Sequence, residues 1–260
     1  KTAGKKVEFL GNIGKPMLER LLKPVGNDVI FVLELSSAQL DDIKFSPDIA
    51  VVTSLFPEHM DYHKSLKNYY NAKKNIINFQ SQNNCFIYNP KNKITSDWLK
   101  DYKGKVAPFA KSIPFKKYEI PLIGEHNKNN IKAAISVAKI LNIPDKIIKK
   151  SIKNFKGLHH RLEFVGQFNG IKFYDDGSST NPESAILAIK SLKNIDTIFL
   201  GGEDRGYNFS QLAKTIKKYK IRNIVLFPDS GDKILKSIFP HSSAKDKAFN
   251  ILKTSDMEKA

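Results

Sequence analysis

The chain has a single cysteine, Cys85, among 260 residues, which excludes an internal disulfide framework and suits a reducing compartment. Cys85 lies inside the apolar run Cys85-Phe86-Ile87-Tyr88, so a small buried apolar role is expected for it. No apolar run reaches the length that spans a bilayer, and the first residues lack the charged-then-apolar order of a secretory signal. A cytoplasmic chain without membrane insertion is expected, and a monomer. Acidic residues are scarce, 26 against 43 Lys and Arg, for a formal net charge of +17. Such an excess invites a nucleic-acid reading. The lysines recur singly or in pairs such as Lys73-Lys74 and Lys149-Lys150, without interleaved aromatics, and this fits solvated helix faces better. No nucleic-acid partner is expected.

What is present is a repeated alternation of short β-branched runs with longer amphipathic ones. Asp28–Glu34, Ile49–Thr53, Cys85–Tyr88, Ile195–Leu200 and Asn223–Phe227 read as strands. Leu66–Phe79, Asn127–Leu141, Pro182–Leu192, Phe209–Tyr219 and Lys233–Ile238 read as helices. Near-continuous apolar strands separated by helices indicate an α/β fold with mostly parallel sheets covered on both faces. A basic helix ending near Phe155-Lys156-Gly157, followed by a fresh strand near Leu162, divides the chain into residues 1–156 and 157–260. Lys1-Thr2-Ala3-Gly4 resembles the last turn of a helix with Gly4 as its cap, and Ser255–Ala260 stops without a closing strand, so a fragment is expected.

Polar groups gather where apolar strands end, the ligand-binding edge of a parallel sheet. Glu34 ends one strand and leads into Leu35-Ser36-Ser37-Ala38-Gln39-Leu40. The next strand runs into Glu58-His59-Met60-Asp61, an imidazole between two carboxylates. Adjacent strands thereby deliver donors of the kind a phosphate-bound Mg²⁺ takes, although a lone carboxylate at such a place is more often a cap or an ion-pair partner. Asn12, between Gly11 and Gly14, and the pair Asn127 and Asn130 stand at glycine-flanked loops. The two asparagines share one face at the start of a helix, where they could cap it or hold a ligand.

Asp175-Asp176-Gly177-Ser178-Ser179-Thr180-Asn181-Pro182 joins an apolar run to a helix, either as a ligand-facing loop or as a turn capped by Thr180 or Asn181. A metal reading of His159-His160 is set aside, because neighbours on an extended segment point to opposite faces. Arg161 offers a fork for phosphate. Gly201-Gly202-Glu203-Asp204-Arg205-Gly206 puts a guanidinium at another sheet edge, suited to a carboxylate.

Taken in order, Glu34–Leu40, Glu58–His63, Tyr70-Asn71-Ala72-Lys73, His126–Asn130, Gly157–Glu163 and Gly201–Gly206 resemble the Mur ligase family over nearly the whole chain. The Glu-Leu-Ser-Ser-x-Gln-Leu string and the Asp-Gly-Ser-Ser-Thr-Asn loop fit the branch that adds D-glutamate better than its sister branches. The resemblance implies a central ATP-binding domain followed by a Rossmann-like C-terminal domain. It also implies ATP and Mg²⁺ as cofactors, and UDP-N-acetylmuramoyl-L-alanine and D-glutamate as small-molecule substrates in peptidoglycan synthesis. Glu34, His59 and Lys73 would serve Mg²⁺, with Lys73 at the position of the family's carbamylated lysine; these three are the residues implied for catalysis. Asn12 and Ser36 would meet the nucleotide-sugar substrate, Asn127, Asn130, Arg161 and Asp176 the adenine nucleotide, and Thr180 and Arg205 the D-glutamate.

Three departures stand out. Ser178 occupies the place of a usual lysine, and Arg205 stands where some members have lysine. The chain contains no Gly-x-x-x-x-Gly-Lys-Ser/Thr string, the loop that cradles phosphates, and neither the uridine-nucleotide domain nor the last C-terminal segment is expected in it. The isolated segment is therefore expected to show no turnover. A rival reading is a non-catalytic relative that binds a nucleotide or a partner.

Overall fold

The structure, a computed structural model, describes residues 1–22, 24–115, 120–192, 194–240 and 248–259. It divides into two compact units, Lys1–Pro121 with Lys128–Phe155, and Leu122–Asn127 with Lys156–Ala260.

In the first unit β1 (Lys6–Gly11) pairs in parallel with β2 (Val29–Glu34), with α1 (Met17–Leu21) between them in sequence. After α2 (Ser37–Asp42) comes a second parallel sheet in the order β3 (Ile49–Val52), β4 (Cys85–Tyr88), β5 (Lys105–Pro108). Helices α3 (Met60–His63) and α4 (Leu66–Asn78) link β3 to β4, and α5 (Lys93–Asp97) with a 3-10 turn at Trp98–Asp101 links β4 to β5. Helices α6 (Glu125–Ile140) and α7 (Asp145–Lys153) follow.

The unbroken apolar run at β4 is explained by burial on both faces. Phe86 packs with Ala50, Val52, Ile77 and Trp98 on one side, while Cys85 and Ile87 meet Phe109 and Ala133 on the other. Phe86 and Ile87 are completely buried, each stabilising the unit by roughly 1.5–3 kcal/mol relative to an exposed side chain. Cys85 is buried as expected. The expectation of two covered faces fails at β2, where Phe31 and Val32 are exposed.

The second unit opens with an antiparallel hairpin, β6 (Glu163–Phe168) against β7 (Ile171–Asp175). It continues through α8 (Pro182–Leu192), β8 (Thr197–Gly202), α9 (Ser210–Lys218), β9 (Asn223–Asp229), α10 (Gly231–Ile238) and β10 (Asn250–Lys253). The last three strands form a parallel sheet in the order β10-β9-β8. Ile189, Leu212, Ile216, Ile224, Leu226 and Ile238 make its core. Lys1–Gly4 is a turn closed by a 2.9 Å bond from Gly4 N to Lys1 O, with Gly4 in the left-handed conformation at φ 75° that a cap takes.

Candidate functional site

The register of β1 and β2 places Gly11 opposite Glu34, and the backbone N–H of Asn12 donates to the Glu34 carbonyl at 2.8 Å. Gly11 has φ +117°, and a Cβ there would sit 2.1 Å from the Glu34 carbonyl oxygen. Only glycine allows this approach, so the chain brings Asn12 and Glu34 together by main-chain geometry. Directly after β2, Ser36 caps α2. Its Oγ accepts from Gln39 N–H at 3.2 Å, while the Gln39 side chain accepts from Ser36 N–H at 2.9 Å. This reciprocal box fixes the first turn, and Ser36 is thereby committed to the backbone.

Glu34 is the unusual carboxylate, because its Oε2 is sealed from solvent without a hydrogen-bond partner among the described residues. Such an atom is costly to leave alone. Beside it is Lys73, half-buried on α4. Burial pushes the Lys73 amine below the ordinary lysine value, against the opposing pull of Glu34 and Glu58. Two carboxylates and a desolvated amine thus act on one another electrostatically. His59 precedes α3 in a left-handed conformation, φ 55° and ψ 41°, and is exposed. Its carbonyl accepts from the Tyr62 and His63 N–H groups, but its side chain makes no hydrogen bond among the described residues. The structure therefore joins Glu34, Glu58 and Lys73 electrostatically and does not bind His59's ring to them.

The second unit gathers a different set. Asp176 Oδ1 accepts from Leu162 N–H at 2.8 Å and its Oδ2 accepts from the Ser179 hydroxyl. Arg161 donates to the Ser178 carbonyl at 2.9 Å, and Ser178 N–H to the His160 carbonyl at 3.0 Å. The Asp175–Thr180 loop is thereby stitched to the His159–Glu163 segment. Thr180 is exposed, and the helix cap is Asn181, whose Oδ1 accepts from Ser184 N–H at 2.9 Å.

The segment His159–Glu163 is not extended, which corrects the premise used for the histidine pair. His160 and Leu162 have φ 59° and 49°, so both rings turn to carboxylates. His159 Nδ1 lies 2.9 Å from Glu163 Oε1 and His160 Nδ1 lies 2.6 Å from Asp175 Oδ2. The donor atoms of His160, Glu163 and Asp175 fall within 4.8 Å of one another, a group that includes only one of the two histidines and whose members already pair among themselves. The bond from Asp175, with its charge, raises the His160 pKa. Asp175 is held below the usual carboxylate range by Gly177 N–H and then by His160.

Asn127 donates to the Ile123 carbonyl at 2.8 Å, securing the entry to α6, and Asn130 is exposed one turn on. Directly before Asn127 in the motif, but missed as a site residue, is His126. Its Nδ1 is sealed without a hydrogen-bond partner. Burial lowers its pKa against the pull of Asp176. Arg205 is exposed and paired through Nε with Glu203 at 2.9 Å. Asn12, Glu34, Ser36, His59, Lys73 and Asn130 belong to the first unit, and Asn127, Arg161, Asp176, Thr180 and Arg205 to the second.

Residues 15–117 match the Mur ligase middle domain. A UDP-N-acetylmuramoylalanine–D-glutamate ligase of Caldanaerobacter subterraneus is 35% identical over 96% of this chain. The likeness to Mur ligases extends over nearly the whole chain. A second ligase of the same name, from Streptococcus agalactiae, is 34% identical over 89% of the chain. The chain spans only 59% and 55% of the lengths of these two relatives. The fold also matches that of the MurF ligase from Thermotoga maritima, solved in complex with ADP, with TM-score 0.72 and 16% identity, covering 98% of this chain and 66% of that one. Among the described residues no helix is long and apolar enough to cross a membrane.

Proposed function

We propose that the chain is the central part and much of the C-terminal part of an ATP-dependent ligase that adds D-glutamate to UDP-N-acetylmuramoyl-L-alanine. The observation that carries this reading is the half-buried Lys73 amine, drawn by the charges of Glu34 and Glu58, together with a Glu34 oxygen sealed without a hydrogen-bond partner among the described residues. A buried carboxylate oxygen of that kind suits a divalent cation, and an amine with a lowered pKa holds the lone pair needed to take up CO₂. In that step the neutral Lys73 nitrogen bonds the carbon of CO₂, one N–H proton leaves to solvent, and a carbamate anion replaces the neutral amine. The residues present therefore fit Mg²⁺, with Glu34 and modified Lys73 as holders and His59 as a third. When bound, the ion neutralises charge developing on the transferred phosphoryl group.

In the reaction the γ-phosphoryl group of ATP passes to the alanyl carboxylate, giving an acyl phosphate and ADP. The D-glutamate amine then attacks the acyl carbon, phosphate leaves, and a proton is released. The protein's share is positioning. Asn12 orients the nucleotide-sugar. Ser36, through its cap, fixes the turn beside Glu34. By the family resemblance Asn127, Asn130, Arg161 and Asp176 receive the adenine nucleotide, and Thr180 and Arg205 receive D-glutamate, where the Arg205 fork must exchange Glu203 for the substrate carboxylate.

A ¹³C spectrum of this chain under ¹³CO₂ tests the Lys73 assignment. One carbamate resonance that vanishes in Lys73→Ala is expected; its absence in the unaltered chain contradicts the site. Ser178 in place of the family's lysine favours the second reading, a relative that binds nucleotide without ligation, and that reading requires the complete gene product to bind ATP without consuming it.

A further inference from the structure

We infer that His63 is a positioning residue that holds the segments bearing Glu34, Glu58 and Lys73 in one arrangement; the inference rests on the metal-site reading above. His63 is the last residue of α3 and is 3% exposed. Its Nε2 lies 2.9 Å from the hydroxyl of Ser37, which is 2% exposed. Ser37 opens α2, three residues after Glu34. The cap of that helix is already made by Ser36, so the Ser37 hydroxyl is left to bond the imidazole.

The same ring meets Tyr69 of α4 edge-on, with centroids 5.4 Å apart and planes at 72°. Tyr69 and Lys73 are four residues apart and share a helix face. The His63 carbonyl accepts from Asn68 Nδ2 at 3.0 Å, and the His63 N–H donates to the His59 carbonyl at 2.9 Å. The buried ring therefore ties the β2–α2 turn to α4, while the His63 main chain joins them to the Glu58-His59 turn. These are the three segments that supply the candidate cation ligands. A buried polar pair fixes direction as well as distance, because each partner is costly to leave without the other. That is the role outer hydrogen bonds play around metal ligands.

Mn²⁺ alone, titrated into this chain and followed by water proton relaxation, tests the inference. Glu34→Gln serves as the control for the site. Ser37→Ala keeps the ring and its packing and removes the bond; it and His63→Ala are expected to weaken Mn²⁺ binding by about 10- to 100-fold. His63→Gln, which returns a polar group to the Ser37 hydroxyl, is expected to restore most of the affinity, and a purely structural role would not show that rescue. Should His63→Ala fail to fold, Ser37→Ala decides. Folded Ser37→Ala with unaltered Mn²⁺ affinity overturns the positioning role while leaving the cation site standing. Mn²⁺ binding indifferent to Glu34→Gln overturns the cation site, and the role of His63 with it.

Discussion

Lys73 shows what one residue's surroundings do to its chemistry. Desolvation on α4 lowers its pKa from the ordinary 10.5 despite Glu34 and Glu58. The unfolded chain then binds more protons than the folded one between the folded pKa and 10.5, so this group makes stability rise with pH across that window. In CO₂-free buffer, the stability gap between the unaltered chain and Lys73→Met, measured by urea unfolding, should shift in favour of the unaltered chain as pH rises toward 10.5. A gap independent of pH would contradict the buried amine. Nothing in the sequence singles out this lysine among 43 basic residues except the family resemblance, because burial of a charge depends on what packs over it. His126 is a similar case. It lies inside a legible motif, but its sealed Nδ1 is visible only in three dimensions.

Elements differ in how openly the sequence announces them. β4 is legible because both its faces are buried and every residue is apolar or aromatic. α8 matches its expected bounds, Pro182–Leu192, since Asn181 and Pro182 mark its start. β5 is not legible, for it is four residues long, begins with Lys105 and ends with Pro108. The His159–Glu163 turn is not legible, because its left-handed residues, His160 and Leu162, are not glycines. At that turn His160, raised by Asp175, contributes below its folded pKa and loses the contribution as pH rises through it. Asp175, lowered, contributes only above its own folded pKa. The pairing is therefore strongest between the two, and His160→Gln should flatten the pH dependence of stability across that interval in thermal unfolding; an unchanged profile would mean the pair has no energetic role. At the β1–β2 turn, Gly11→Ala meets both the Glu34 carbonyl and a disfavoured φ. It should destabilise the chain by about 2 kcal/mol or more in urea titration, and a neutral outcome would contradict the close approach.

For the whole molecule, fold class and the order of motifs were legible, because alternating apolar strands and amphipathic helices leave few α/β arrangements. The grouping of Leu122–Asn127 with the second unit was not, since no change of composition marks it. Net charge of +17 invites a nucleic-acid role that the scattered lysines do not support, and DNA retention on a column should be weak and lost at low salt; tight retention at physiological salt would contradict this. The central claim is a ligase whose cation site includes Lys73. Its most direct measurement is Mg²⁺-dependent joining of labelled D-glutamate to UDP-N-acetylmuramoyl-L-alanine by the complete gene product, with ATP consumed one for one. The account predicts ligation that falls by about 10- to 100-fold or more in Lys73→Ala. Binding of ATP without ligation, or ligation indifferent to Lys73, would contradict it.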